Sequence, residues 1–140
     1  MSHDLLGQPP ASAPTLRTKL SAVEGLYAAG HRLLQASRPA DAARIFRAML
    51  ACAPNDERGW LALGACHEGL SQNDIALELY GAGSALVPKS VECDLARARL
   101  LQLLGDDARA EQARERARTR AEALDNPELL QRVCRQLRCS

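Results

Sequence analysis

Residues 57–90, ERGWLALGACHEGLSQNDIALELYGAGSALVPKS, contain two runs of small and apolar residues at helical spacing. Trp60, Gly64 and His67 are separated by four and then three residues, so a helix places them on one face. The second run carries a matching stripe, namely Ala76, Tyr80 and Gly83. The stretch therefore predicts two helices that pack against each other through these faces.

The same pattern recurs upstream. A shift of about 34 residues, the period of a tetratricopeptide repeat, aligns the two segments. The aligned pairs are Leu26 with Trp60, Gly30 with Gly64, Ala42 with Ala76, Phe46 with Tyr80 and Pro54 with Pro88. A further shift gives a degenerate third repeat, in which Asp94 and Arg114 replace the tryptophan and the tyrosine. The sequence therefore predicts an all-α tetratricopeptide repeat solenoid with about three helix-turn-helix repeats and a C-terminal capping helix.

Two residue types explain the pattern physically. A glycine inside a helix is about 1 kcal/mol less favourable than alanine, so Gly30 and Gly64 need a packing reason. We expect that they allow two helix backbones to approach closely. Pro54 and Pro88 are expected to end the second helix of each pair, because proline donates no backbone hydrogen bond.

The predicted organisation is a flexible N-terminal tail at residues 1–15 and one repeat domain at residues 16–140. Within that domain, we predict repeats at residues 23–56, 57–90 and 91–124 and a capping helix at residues 127–138. Ser21 to Glu24 has the spacing of a capping box, with Ser21 as N-cap. We therefore expect the first helix of repeat one to begin there.

Charge and hydropathy exclude several classes of partner. The 140-residue chain has 18 basic and 17 acidic residues, a formal net charge of +1. Nucleic-acid-binding domains usually show a strong basic excess, so no nucleic acid is predicted. Residues 109–120 are rich in arginine but interleaved with glutamate, which favours a solvated face. No signal-peptide pattern or membrane-length apolar run occurs. We expect a cytoplasmic protein that does not associate with membranes.

The cysteines and histidines do not form a reactive pattern. The five cysteines form no C-x-x-C pair, and an odd number argues against a disulfide framework. Cys66 and His67 are adjacent, so a helix points them about 100° apart. His31, Cys52 and Cys93 lack metal-ligand spacing. We therefore predict no catalytic residues, no metal and no cofactor, and hence no enzyme.

A solenoid of this type curves, and the first helices of its repeats line a concave groove. The predicted partner-binding groove consists of Tyr27, His31, Leu34, Arg58, Leu61, Ala65, Glu68, Leu95 and Arg99. Leu61 has two interpretations, since it could pack against a neighbouring repeat or contact a bound peptide. Some tetratricopeptide domains clamp a terminal carboxylate with lysines, asparagines and an arginine. That clamp is absent, because its positions hold Tyr27, His31, Ala62, Glu92 and Ala96.

Several segments resemble the class II type III secretion chaperones, the SycD, LcrH and IpgC group. The resemblance covers roughly residues 21–123. Its most specific part is Leu63-Gly64-Ala65-Cys66 followed by the helix from Asp74 to Tyr80. Leu26-Tyr27 and residues 41–46 also match. The resemblance implies a cytosolic bacterial chaperone that holds hydrophobic translocator proteins before export. It further implies that an extended translocator segment lies in the groove, and that an N-terminal helix supports a weak homodimer.

Two functions follow as hypotheses. The first is a chaperone that binds and shields an aggregation-prone secreted translocator. The alternative is a general tetratricopeptide adaptor or regulatory module that binds other proteins without a chaperone role.

Overall fold

A computed structural model describes residues 15–138, and this part of the chain contains seven α-helices. They are α1 (Leu16–Gln35), α2 (Pro39–Cys52), α3 (Glu57–Gly69), α4 (Asn73–Leu86), α5 (Glu92–Leu103), α6 (Asp107–Ala123) and α7 (Pro127–Arg138). The helices form three consecutive pairs followed by a last helix, so the predicted all-α repeat fold is confirmed.

Helix α1 begins earlier than predicted. Thr15 is its N-cap, and the Thr15 side chain accepts a hydrogen bond from the backbone N–H of Thr18 at 3.2 Å. Ser21 lies inside the helix, so the predicted capping box was wrong. Glu24 instead accepts a hydrogen bond from Arg58 of α3. Residues 1–14 of the predicted tail lie outside the described residues.

The order of contacts shows which side of the solenoid is concave. Each helix packs against the next one along the chain. In addition, α1 contacts α3 and α3 contacts α5, whereas within residues 15–138 the helices α2, α4 and α6 do not contact one another. The first helices of the repeats are therefore closer together than the second helices. They form the inner, concave layer.

Each of the first two pairs is built on an aromatic ring packed over a glycine. Phe46 and Tyr80 are 0% and 2% exposed. A Cβ on Gly30 would lie 2.5 Å from the Phe46 ring, and a Cβ on Gly64 would overlap the Tyr80 ring. The glycines thus make room for an aromatic side chain of the paired helix. Our expectation of direct backbone approach was wrong, because the ring occupies that space.

The third pair is held differently. Helix α6 buries a stripe of small side chains, Ala110, Ala113, Ala117 and Ala121. The last two pack with Val91 and with Val133 of α7, so α7 continues the core beyond the third pair. Asp94, at the position of Trp60, is 1% exposed and accepts a hydrogen bond from the Ser84 hydroxyl at 2.6 Å. A buried polar contact therefore joins the second pair to the third.

Candidate concave binding site

The concave face carries a cleft of about 540 Å³ between α3, α5, α6 and α7. Its apolar lining consists of Leu61, Leu95, Ala96, Ala98, Leu103 and Leu137. Its polar lining consists of Glu92, Arg99, Gln102, Arg114 and Gln136. A concave site with an apolar floor and a few polar groups is suited to holding apolar side chains in a fixed orientation.

Leu61 satisfies both interpretations that the sequence left open. It is partly buried against the core cluster that includes Tyr80, Leu100 and Leu101. It also lines the cleft, together with Leu95 and Arg99 of α5. The cleft thus brings together three of the nine predicted groove residues, on two neighbouring helices of the concave layer.

Glu68 connects the cleft to the core of the second pair. Its carboxylate accepts hydrogen bonds from the Tyr80 hydroxyl and from Arg99 Nη2, the latter at 2.6 Å. Burial and the bond to Glu68 raise the pKa of the Tyr80 hydroxyl. The hydroxyl therefore stays protonated at neutral pH and keeps donating. Because Glu68 neutralises Arg99, this part of the rim is polar but carries little net charge.

A second group of predicted residues lies at the α1 end of the concave layer. Tyr27 hydroxyl and His31 Nε2 are 2.9 Å apart. The Arg58 guanidinium lies 4.6 Å from the centre of the Tyr27 ring, in a cation–π arrangement. Arg58 is itself held by Glu24 at 2.6 Å and by Asp56 at 2.8 Å. The hydrogen bonds from Arg58 lower the pKa of Asp56 and of Glu24, so both carboxylates stay ionised at neutral pH.

The two remaining predicted residues differ in environment. Leu34 is half-buried and packs against the first core cluster, which includes Phe46 and Met49. Ala65 is exposed, one helical turn beyond Leu61. Leu34 therefore contributes to the fold, and Ala65 offers only a small surface beside the cleft.

Sequence reasoning missed the contribution of the C-terminal third of the chain. Arg114 of α6 and Gln136 and Leu137 of α7 line the cleft, although we predicted only a solvated face and a cap there. One signal was available for Arg114, because it occupies the repeat position of Phe46 and Tyr80. No comparable signal pointed to Gln136.

The described residues do not suggest other chemistry. Within residues 15–138, no group of histidine, cysteine and acidic residues could hold a metal ion. Burial raises the pKa of the Cys66 and Cys93 thiols to about 11, so both are protonated and unreactive at neutral pH. His67 is buried between Arg47 and Gln72, which fits a packing role. No helix of the described part is long and apolar enough to cross a membrane.

Individual proteins and solved structures are similar to this chain, although no family model matches it. The Low calcium response locus protein H of Yersinia pestis is 30% identical over 89 residues, which cover 64% of this chain and 53% of that protein. The match thus spans about half the length of that curated relative. The translocator chaperone SycD of Yersinia enterocolitica has a TM-score of 0.71 and 28% identity, covering 84% of this chain and 89% of SycD.

A second solved structure decides the family. PcrH of Pseudomonas aeruginosa, in complex with the chaperone binding region of PopB, is 31% identical with a TM-score of 0.68. The likeness covers 83% of this chain and 94% of PcrH. The chain belongs to the type III secretion translocator chaperones. This translocator chaperone shares with those structures a superposable arrangement of helices over almost the whole described part of the chain.

Proposed function

We propose that this translocator chaperone binds and shields a hydrophobic translocator protein of a type III secretion system, in the bacterial cytoplasm, before export. The observation that carries the proposal is the cleft with an apolar floor on the concave face, between α3, α5, α6 and α7. Two similar chaperones support it. PcrH was solved with the chaperone binding region of PopB, and SycD with a peptide of the translocator YopD.

The proposed mechanism is the burial of apolar side chains of an extended segment. Each leucine-sized side chain that enters the cleft contributes about 1.5–3 kcal/mol. Ordering of the segment and loss of free motion offset much of that gain, so two or three such side chains give binding in the micromolar range. An interaction of this strength protects an apolar segment and still releases it for export. No bond is made or broken, so the proposed role is not that of an enzyme.

The proposed binding surface lies in the repeat domain at residues 16–140. Leu61 and Leu95 supply the apolar floor, and Arg99 with Glu68 forms the rim. Tyr27, His31 and Arg58 extend the surface toward α1, with Leu34 and Ala65 beside it. Because each of the charged residues in this set is already paired, they fix the orientation of a segment more than its affinity.

A co-purification experiment tests this function. The chaperone is co-expressed with the two translocators of its own secretion system, and retention of each translocator is measured. The Tyr27→Asp and Leu61→Asp double variant places two carboxylates on the proposed surface, so we expect it to lose the translocator. Leu86→Asp is the matched control, because Leu86 is 56% exposed on α4, in the outer layer.

Circular dichroism must first show that the double variant is folded. Loss of the translocator by the folded double variant, with retention by Leu86→Asp, supports both the function and the site. If wild type retains neither translocator, the proposed function is wrong. If the folded double variant retains the translocator, the proposed surface is wrong.

A further inference from the structure

The third repeat departs from the first two at the position that faces the cleft. In repeats one and two, an aromatic ring of the second helix lies over a glycine of the first, Phe46 over Gly30 and Tyr80 over Gly64. The equivalent pair in repeat three is Arg114 and Ala98. Both of these residues line the cleft. The cleft therefore includes the place where the solenoid would otherwise hold a third ring.

The Arg114 side chain reaches the same repeat position as the ring that it replaces. The Tyr80 hydroxyl reaches Glu68, four residues after Gly64. Arg114 Nη2 reaches Gln102, four residues after Ala98, and donates to its Oε1 at 2.6 Å. Arg114 Nη1 also donates to Glu111 at 3.1 Å. With 15% of its side chain exposed, the guanidinium is fixed in the wall of the cleft.

The shape and electrostatics of the cleft complement an aromatic side chain. A linear arginine side chain is thinner than a ring, so it leaves apolar space beside Leu61 and Leu137 unfilled. The face of an aromatic ring carries negative charge and is attracted to a guanidinium. Two guanidinium groups line the cleft, Arg99 paired with Glu68 and Arg114 paired with Glu111, and the lining carboxylate of Glu92 is paired with Arg132.

The same molecule already contains this contact. Arg58, held by two carboxylates, lies 4.6 Å from the centre of the Tyr27 ring. A guanidinium restrained by hydrogen bonds loses little conformational freedom when a ring packs on it. Arg114 is restrained in the same way, by hydrogen bonds to Gln102 and Glu111, but no aromatic ring of the described residues is packed on it.

We propose that the cleft takes an aromatic side chain of the bound segment, packed on Leu61, Leu95 and Leu137 and stacked on Arg114. This inference deepens the proposed function and rests on it for the identity of the segment. It also states a specificity, since an aliphatic side chain would fill the same apolar space without the attraction to Arg114.

Small probes test the pocket without any translocator. N-acetyl-tryptophanamide and N-acetyl-leucinamide are titrated into the full chain, and the methyl signals of Leu61, Ala98 and Leu137 are followed by NMR. We expect both probes to bind weakly, with the aromatic probe preferred by at least the roughly two- to fivefold that corresponds to an exposed cation–π contact. Equal affinities, or no shift of these three methyl groups, would overturn the proposal.

Two variants assign the preference to the guanidinium. Arg114→Met keeps a long side chain but removes the charge, so the ratio of the aromatic to the leucine affinity should fall by about two- to fivefold. Arg118→Met is the matched control, because Arg118 is one turn further along α6 and makes the same kind of ion pair, with Glu115. If both variants keep the preference, or both lose it, Arg114 is not its source. A thermal melt checks that each variant is folded, and Arg114→Lys provides a second test, since it keeps the charge but loses the planar stacking surface.

The outcome is separable from that of the co-purification experiment. A retained translocator with no aromatic preference of the probes would leave the chaperone function intact and refute the aromatic pocket. Probe preference without any retained translocator would refute the function and leave a pocket whose natural segment comes from another protein. With a retained translocator, changing its aromatic residues to leucine one at a time should weaken binding at one position, and only when Arg114 is present.

Discussion

Gly64 shows how one residue allows a helical pair to close. The Tyr80 ring lies where a Cβ of residue 64 would be, and the ring is held in place because its hydroxyl donates to Glu68. The pair therefore cannot simply shift to admit a methyl group. The penalty of glycine in a helix, about 1 kcal/mol, is offset by the burial of a whole aromatic ring.

We predict that Gly64→Ala lowers the free energy of unfolding by about 1–3 kcal/mol, the usual range for overpacking a core. Urea denaturation followed by circular dichroism measures the change. Gly25→Ala is the control, because Gly25 is also inside a helix but a Cβ there meets nothing within 4 Å. The free energy of unfolding of that variant should rise by up to about 1 kcal/mol, because alanine has a higher helix propensity than glycine. Equal effects of the two substitutions would contradict the role assigned to the Tyr80 ring.

Asp94 is the buried acid of the molecule's third repeat. It accepts a hydrogen bond from Ser84 of α4, and its Oδ2 lies 3.5 Å from Nε of Arg120 of α6. The positive charges of Arg97, on the same helix as Asp94, and of Arg116, on α6, lower the pKa of Asp94. Burial nevertheless dominates and raises the pKa of Asp94 above its ordinary value of 3.8. The folded state therefore holds the proton more tightly than the unfolded chain does.

This pKa shift predicts a pH dependence with a definite sign. The stability that Asp94 contributes is complete below pH 3.8 and is lost as pH rises through the raised pKa. We therefore expect Asp94→Asn to become progressively more stable relative to wild type between pH 4 and pH 7. The difference between the two urea midpoints, measured along a pH series, cancels the opposite effects of other carboxyl groups. A difference that stays constant or shrinks with rising pH would refute the raised pKa.

At the scale of residues, the sequence predicted the apolar stripe better than its polar members. The repeat spacing placed Ala42, Phe46, Ala76 and Tyr80 between paired helices, and each of the four is at most 2% exposed. The same spacing placed Asp94 and Arg114 at equivalent positions but could not say what a charged side chain does there. Their partners, Ser84 and Gln102, belong to other helices, so the outcome depends on the packed structure.

Helix α1 shows the limit of local signals for an element. Thr15 and Ser21 both precede the buried face of α1, and we predicted only Ser21 as its N-cap. Both have the right residue type, and only the second has a glutamate three residues later. The structure uses the first, because nothing between the two residues breaks a helix. The Ser21 side chain is exposed, so no burial argument could have decided between them.

Two substitutions distinguish these caps. Thr15→Ala removes the acceptor for the backbone N–H of Thr18, and the loss of an N-cap costs about 0.5–2 kcal/mol. The first turns of α1 are exposed, so we expect faster hydrogen exchange of amides 18–20, about fivefold, rather than global unfolding. Ser21→Ala should leave these amides unchanged or slow them slightly, because alanine favours a helix interior. If these amides instead exchanged faster in Ser21→Ala, Ser21 rather than Thr15 would be the N-cap of α1.

For the whole molecule, the repeat period predicted the number and order of the helices, but not the cleft. The period follows from local spacing, which survives even in the degenerate third repeat. The cleft needs α7 to bring Leu137 near Leu61. That position follows from packing of α7 on Val91, Ala117 and Ala121. Such packing joins helices distant in sequence, and no periodicity within one helix encodes it.

The stacked arrangement predicts how the molecule comes apart. Each helical pair is stabilised mainly by its neighbours, so a weakened junction uncouples the pairs on either side. Leu101 of α5 is 1% exposed and packs with Ala76 and Tyr80 of α4. It therefore joins the second pair to the third, beside the buried contact between Ser84 and Asp94.

We expect Leu101→Ala to lower stability by about 2–5 kcal/mol, as for other buried leucines. Hydrogen exchange should then rise first in α5, α6 and α7, while α1 to α4 stay protected, because the core cluster around Phe46 and Met49, on which Leu79 of α4 also packs, does not include Leu101. Leu104→Ala is the matched control. Leu104 follows α5, is 48% exposed, and should change stability by less than about 0.5 kcal/mol. If exchange in Leu101→Ala rose uniformly from α1 to α7, the solenoid would unfold as one cooperative unit, and the nearest-neighbour account of its stability would be wrong.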